Sequence, residues 1–428
     1  MKKYHLINNI LGWGVCLIAC IVYLVTAEPT ASWWDCGEYI ATADKLQVGH
    51  PPGAPTFQLL GRFFTMFASP ESAAYAVNAM SGISSGFTIL FLFWTITLFG
   101  KKIAKITEDN IKDSKMWAVF ASGIVGAMAY TFSDTFWYSA VEGEVYAMSS
   151  FFTAVVFWAI LKWEEQADSP HSLRWLILIA FLIGVSIGVH LLNLLAIPAI
   201  VYVYYFKKYP QTTTKGFILS GVLSVLLLAV ILFGIIPGIV SLAGNFEVFF
   251  VNSMGMPFNS GTIIFFLILI AAIVFGLWWS RKKGKAVLNA SVLSFMFLVI
   301  GYSTFFILII RSNANTPINE NAPKDAVALR AYLGREQYGS TPLFSGQYYT
   351  AKNPTGVKEG YTKYVKGENE YIPAGTAIEY TYDEKHCGVF PRMYSYDPSR
   401  PYHVQFYKYW IGKNQNDERK PTFGENLK

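Results

Sequence analysis

Residues 7–26 read INNILGWGVCLIACIVYLVT, twenty positions without a charged side chain. A helix of that length and composition crosses a bilayer, whose apolar core asks for about 20 residues. The run is too long for the apolar part of a secretory signal, and no small-residue cleavage site follows it cleanly, so it reads as a retained span. Further apolar runs follow at 74–99, 117–133, 145–162, 173–189, 191–206, 216–241, 262–280 and 287–310. The fifth and sixth spans are short and nearly continuous, interrupted by Gly184, Gly188, His190, Asn193 and Pro198. Broken segments of this kind line cavities rather than face lipid. Composition agrees: of 428 residues, 53% are hydrophobic and 14% charged, against about 25% charged in a soluble domain. Mean hydropathy is +0.34. A disordered chain, a disulfide scaffold and an ordinary cytosolic enzyme are excluded. The expected fold class is an all-α polytopic membrane protein with nine transmembrane helices.

The net charge of +6 is distributed by topology. One set of loops carries Lys2 and Lys3; Lys101, Lys102, Lys105, Lys112 and Lys115; Lys162 and Arg174; Lys207, Lys208 and Lys215; and Arg281, Lys282, Lys283 and Lys285. The opposite set, before the tail, carries only Lys45 and Arg62. The positive-inside bias puts the N-terminus in the cytoplasm and residues after Arg311 outside. The basic balance therefore gives no reason to expect a nucleic-acid partner. The lipid bilayer is the expected surrounding. The four cysteines show no CxxC or Cys/His metal spacing.

The division expected is a transmembrane domain over 1–310 and a small extracytoplasmic segment of mixed α/β character over 311–428. The latter is polar and tyrosine-rich, with turn signals NPTG at 353–356, YDPS at 396–399 and KPTFGEN at 420–426. Residues 322–339 read as helical, and 245–261 as an amphipathic surface loop. The chain stops at GENLK with no closing element, which reads as a fragment.

The stretch richest in chemistry is WWDCGEYIATADKLQVGHPPGAP, residues 33–55. Asp35 and Glu38 share a helix face, Gly49 ends the helical pattern, and His50-Pro51-Pro52-Gly53-Ala54-Pro55 makes a stiff turn. A carboxylate held here could serve as a general base, with its neighbour tuning its pKa. The plainer reading is an interfacial loop of solvated acids with Trp33 and Trp34 as anchors. A second acidic loop, FSDTFWYSAVEGEVYAMSSFF at 132–152, brings Glu142 and Glu144. Glu144 falls at the start of a span, where the helix dipole favours an anion; the other reading is a polar cavity shared with Asp35. His190 lies between the broken helices, as a donor to a phosphate or sugar or as a group satisfied by the break itself, with Asn193 beside it as a weaker candidate. Asn78 is a weaker candidate of the same kind. Arg311, at the end of the last span, either grips a lipid phosphate or snorkels to the headgroups. No nucleotide loop, serine-hydrolase elbow, HExxH or EF-hand pattern occurs, so an ATP-driven pump or zinc protease is not expected.

The motifs WWDCGEYIATADKLQVGHPPGAP, VEGEVYAMSSFF and GVHLLNLLAIPA resemble the glycosyltransferase-C superfamily, close to the protein O-mannosyltransferases. They are similar in particular to the membrane family catalogued as domain of unknown function 2723 (glycosyltransferase family 117). The resemblance covers about residues 1–310. It implies a transferase at the periplasmic face of the inner membrane. Asp35 would be the catalytic base, taking the proton from a Ser or Thr hydroxyl of an exported acceptor protein. That oxygen would attack, with inversion, the anomeric carbon of a polyprenyl-phosphate sugar, with mannose as the sugar. Glu38 would assist, His50 and the prolines would shape the cleft, and Arg311 and His190 would meet the leaving phosphate. Glu142, Glu144 and Asn193 complete the expected substrate-binding set. A donor with one phosphate needs less charge neutralisation than a pyrophosphate, so neither metal nor cofactor is expected. Members of the family are usually longer, with more spans. The rival readings are a secondary transporter or lipid flippase using the broken helices around His190, and a membrane subunit that presents the tail to a partner.

Overall fold

The computed structural model describes residues 2–107, 113–338, 345–351, 353–389 and 402–426. Lys112, Gly339 at the end of the expected helix, the YDPS turn and the last two residues lie outside them. The chain forms two compact units, Met1–Glu247 with Asn259–Leu333, and Val248–Phe258 with Gly334–Lys428.

The first unit is helical. Its elements are α1 (Lys2–Thr26), α2 (Cys36–Lys45), α3 (Pro55–Thr65), α4 (Ala73–Ile103), α5 (Asp113–Thr131), α6 (Asp134–Ala140), α7 (Val145–Gln166), α8 (Leu173–Ile187), α9 (Ile197–Lys208), α10 (Thr214–Ala229), α11 (Ile236–Val248), α12 (Ser260–Lys282), α13 (Ala286–Tyr302), α14 (Phe306–Asn313) and α15 (Ala326–Leu333). Among the described residues, seven helices are long and apolar enough to cross a membrane, or eight if the bent pair of α5 and α6 is one span. Of the nine expected spans, 173–189 is the short one: α8 has 15 residues, about 22 Å of helix. The side chains of α10 are inverted relative to a soluble helix. Ser220 and Ser224 are its buried residues, while Leu219, Val222, Leu223, Val225 and Leu226 are exposed. So large an exposed apolar face suits lipid, not water.

Neighbour contacts give the helix directions. Tyr4 Oη donates to Thr97 O at one end of α1 and Tyr75 Oη to Leu24 O at the other, so α1 and α4 are antiparallel. Gly100 packs on Val119 and Gly126 on Ile96, which sets α5 antiparallel to α4. Phe87 meets Phe151 and Trp94 meets Trp158, so α7 runs with α4. The ring of Trp163 stacks on Tyr204 while Ser149 bonds Asn193, so α9 runs with α7. Between them, Trp158 meets Trp175 and Met148 clusters with Val189, so α8 runs the other way. Phe181 meets Phe297, Gly184 lies on Leu298 and Gly301 on Val185, so α13 runs parallel to α8. A Cβ on Gly184 would collide with the Leu298 backbone. That glycine is therefore a packing residue inside α8, not the break the sequence suggested.

The break comes at Gly188–His190, followed by a 3-10 turn Leu191–Ala196 and α9 with a proline in its first turn. Two other expectations are corrected. Residues 134–140 are helical and bend 68° from α5 rather than forming a loop. The helix from α11 continues through a π-helical turn to Ser253, so the first nine residues of the expected surface loop are helical.

In the second unit, β2 (Gly356–Lys366) and β3 (Tyr371–Thr381) form an antiparallel hairpin with Val365 opposite Ile372, beside a short pair of β1 (Ser345–Gln347) and β4 (Cys387–Val389). Asn252 holds the start of β3 on both sides: its Nδ2 donates to Tyr371 O and its Oδ1 accepts from Tyr371 N.

Candidate functional site: carboxylates around His50

The connection after α1 leads to Asp35, the residue before α2, with Glu38 in the helix's first turn. A carboxylate there meets the positive end of the helix dipole. α2 ends at Lys45, because Leu46 takes a left-handed conformation with φ 48°. Gly49 therefore does not end the helix. A Cβ at Gly49 would come 2.5 Å from Glu38 Oε1, so glycine at 49 is what lets the loop lie against that carboxylate.

His50 joins the two acids. Its backbone N–H donates to Glu38 Oε1 at 2.6 Å, and its Nδ1 lies 3.1 Å from both Glu38 oxygens. Its Nε2 is 3.9 Å from Asp35 Oδ2. The hydrogen bond to Glu38 holds the imidazole above its usual pKa against the effect of burial, and the charges of Glu38, Asp35 and Glu320 add to it. Burial alone would raise Glu38, but the side-chain and backbone bonds from His50 outweigh it and bring the carboxyl below its usual range. The two acids are therefore unequal. Glu38 is tied up, its side chain 25% exposed, while Asp35 is 57% exposed with one long contact to the ring.

The second acidic stretch closes on the first. Ser32 Oγ donates to Glu142 Oε2 at 2.8 Å. Glu144 caps α7, accepting from the Val145 N–H at 2.8 Å. It is 7% exposed, and burial, with Asp35 and Glu142 adding, pushes its carboxyl up to about 7. The thiol of Cys36 is pushed up to about 12 by burial and by Glu142 and Glu144. Burial and the charges of Glu144, Asp35 and Glu38 raise the Tyr39 phenol, whose ring packs 5.6 Å from His50 and 5.3 Å from Phe57. Asp35, Glu38, His50, Glu142 and Glu144 thus come together.

Two residues missed in the sequence belong here. Glu320 follows Asn319, which pairs with Val48 in a short parallel bridge; the Glu320 N–H donates to Val48 O, and burial with Glu38 and Asp35 raises its carboxyl. Tyr332 Oη donates to Gly49 O at 2.6 Å and to His50 O at 3.3 Å. Nothing local marks either one; only the placement of Glu320 in the polar run after Arg311 was a signal.

The other candidates are held by other partners. Arg311 donates through Nε to Leu46 O at 2.6 Å and through Nη2 to Lys45 O at 3.2 Å, so it holds the C-terminal end of α2. His190 precedes the 3-10 turn, its Nδ1 accepting from Leu192 N and its ring 5.4 Å from Tyr146. Asn193 is buried, its Oδ1 accepting from Ser149 and Thr153 and its Nδ2 donating to Ser186 O. Asn78 Nδ2 donates to Glu28 O and Thr30 O, holding the entry to the loop. A groove of about 740 Å3 opens among α4, α5, α7 and the 3-10 turn, lined by Leu92, Ile96, Phe157, Leu192 and Leu195 with the hydroxyls of Ser149 and Thr153. Among the described residues, no group of three His, Cys, Asp or Glu is arranged to hold a metal ion.

Residues 35–213 match the family described as protein O-mannosyl-transferase TMEM260 N-terminal domain, and residues 339–428 match a family of unknown function (DUF8416). The chain is 30% identical over 142 residues to protein O-mannosyl-transferase tmem260 of Dictyostelium discoideum, covering 32% of this chain and 15% of that protein. It is 25% identical over 166 residues to protein O-mannosyl-transferase TMEM260 of Mus musculus, covering 39% of this chain and 21% of that protein. The similarity thus spans under a quarter of either relative's length. No solved structure matches the chain. The matched region begins at Asp35 and includes Glu38, His50, Glu142, Glu144, His190 and Asn193, but not Arg311 or Glu320, so the similarity to an O-mannosyltransferase-like family falls on most of the carboxylate site.

Proposed function

We propose that the chain is an inverting membrane glycosyltransferase of the glycosyltransferase-C type. It transfers a sugar, mannose in the first instance, from a polyprenyl-phosphate donor to Ser or Thr hydroxyls of exported proteins. The observation that carries this reading is the inequality of Asp35 and Glu38: one acid is exposed beside an imidazole that the other already grips. A general base must reach the proton it takes. Asp35 takes the acceptor hydroxyl proton as the hydroxyl oxygen bonds to the anomeric carbon. The bond from that carbon to the phosphate oxygen breaks on the opposite face, and the lipid phosphate leaves with the electron pair. Glu38 keeps His50 charged, and His50 holds Asp35 in place. Glu142, Glu144 and Glu320 wall the cleft. His190 meets the donor phosphate, the groove beside Leu192 and Leu195 takes its apolar chain, and Asn193 shapes the groove through Ser149 and Thr153. Arg311 holds the loop and adds positive charge for the phosphate. With a single phosphate to neutralise, the reaction needs no divalent metal.

The topology belongs to the same proposal. Nine crossings, a cytoplasmic N-terminus and the carboxylates at the outer face of the inner membrane fit the alternating helix directions and the lysine-rich loops. The test is sugar transfer by membranes holding the full chain or Asp35→Asn, with radiolabelled polyprenyl-phosphate mannose and exported proteins as acceptors. Transfer by the parent, lost in the variant at equal protein level, is expected. Equal transfer by both would remove Asp35 from the mechanism. The carrier reading needs polar groups at the helix break that are open to cargo, whereas the Asn193 amide is already bonded on both sides.

A further inference from the structure

A second polar cavity, of about 150 Å3, lies among α1, α4 and α7, with His5, Asn8, Trp94, Lys101, Lys162 and Glu165 in its wall. It sits near the start of α1, whereas the carboxylate loop follows that helix's end. At 1.5 Å per residue the two are roughly 30 Å apart. Two ammonium groups face one carboxylate here. Lys162 Nζ is 2.7 Å from Glu165 Oε2, but Lys101 Nζ is 4.0 Å from Oε1. Among the described residues the Lys101 ammonium donates no hydrogen bond; it lies 5.9 Å from the centre of the Tyr4 ring. The helix dipole accounts for lysines near the C-terminal ends of α4 and α7. It does not account for two further atoms. Trp94 Nε1 and Asn8 Oδ1 are buried and have no hydrogen-bond partner among the described residues. Buried polar atoms are normally paired, and each exception calls for a ligand or another explanation.

The groups with no hydrogen bond among the described residues are a neutral N–H donor, an ammonium and a carbonyl acceptor. They complement a molecule with anionic oxygens and at least one hydroxyl. We propose that this cavity binds a phosphodiester headgroup bearing hydroxyls, as on phosphatidylglycerol, at the lysine-rich end of the helices. Basic pockets between membrane helices bind anionic headgroups in this way. The phosphate accepts from Lys101 and Trp94, and a headgroup hydroxyl donates to Asn8. The site is independent of the carboxylate chemistry.

The test is thermal unfolding of the purified full chain in detergent, titrated separately with phosphatidylglycerol, phosphatidylcholine and inorganic phosphate. Phosphatidylglycerol should raise the midpoint and phosphatidylcholine should not. Lys101→Met should weaken the phosphatidylglycerol response by about fivefold, the share of one lysine near an anionic surface, while Lys101→Arg retains it. Trp94→Phe keeps both charges and should also weaken the response, which separates a built pocket from a generally basic surface. A rise with inorganic phosphate that is lost in the same variants would make a free anion the ligand, with the same site. No rise with either phosphate source in the parent, or an unaltered response in Trp94→Phe, would overturn the proposal. If Lys101→Met does not fold, the Trp94→Phe titration decides.

Discussion

Asp35 and Glu38 differ because His50 treats them differently, and that difference can be titrated. His50 is raised above its ordinary 6.5, first by the bond to Glu38, so its contribution to stability is full below 6.5 and is lost as pH rises through its raised value. Glu38 is lowered from its ordinary 4.5, so its contribution is full above 4.5 and is lost as pH falls through the lowered value. The pair is strongest between those two pH values. Glu38→Gln should therefore move the His50 titration down, read from the ring resonances by NMR. An unmoved titration would mean that Glu38 is not what holds the proton there. Glu144 is the opposite case. Burial puts it at about 7, so the folded protein binds an extra proton between pH 4.5 and 7, and stability is lost as pH rises through that window. Glu144→Gln, which keeps an oxygen for the Val145 N–H, should gain on the parent above pH 7. The expected gain is at most about 3.5 kcal/mol, from about 1.4 kcal/mol per pKa unit over the rise from 4.5 to about 7. At pH 4 the two should differ little. Thermal unfolding midpoints at pH 4 and pH 8 compare them. The acids at 35, 38, 142 and 144 were legible in the sequence because each sits in a short loop between apolar runs. Their inequality was not, since it depends on which of them His50 turns toward.

At the scale of the element, the loop from Leu46 to Gly53 is held from outside its own neighbourhood. Arg311 grips the end of α2, Gln47 Oε1 accepts from Ile318 N, Val48 pairs with the 318–320 segment, and Tyr332 bonds Gly49. None of these contacts could be read from spacing, because they join residues about 270 positions apart. The signals that were read, HPPG and the two prolines, gave a stiff turn but not what it rests on. Arg311→Ala should lower the unfolding free energy by about 2 kcal/mol, the range for hydrogen bonds from a charged group, and lower transfer at Asp35 with it. Arg311→Lys should restore little, because one ammonium cannot reproduce the fork that spans two carbonyls. Gly49→Ala tests the other side of the loop. Its methyl group would press on Glu38 Oε1, so the His50–Glu38 pair should loosen and transfer fall further than thermal stability does. A variant that loses stability and activity in proportion would instead point to general unfolding of the loop.

For the whole molecule, seven of the nine expected runs, or eight with α5 and α6 taken together, are helices long and apolar enough to cross among the described residues; they were legible because length and absence of charge identify a membrane helix without any periodicity. The member that falls short is α8, whose 15 residues are fewer than the usual span. Its neighbours argue for a full crossing. It runs parallel to α13 through Phe181–Phe297 and Gly184–Leu298, and Thr56 bonds both Val185 O and Thr304 Oγ1, so the two helices end together. If α8 did not cross, the connections before and after it would lie on the same side, and the lysines at 207, 208 and 215 would lie across the membrane from those at 101 and 102. The prediction follows from that parity. Single cysteines placed at Lys102, Lys208 and Lys285 should all resist a membrane-impermeant maleimide in intact cells and react after permeabilisation. One at Lys45, on the opposite end of the helices, should react in both. Labelling at 208 in intact cells, with 102 still protected, would show that α8 turns back, and the carboxylate loop and the helix break at His190 would then belong to opposite faces of the membrane, which no transferase joining Asp35 to a phosphate at His190 could tolerate.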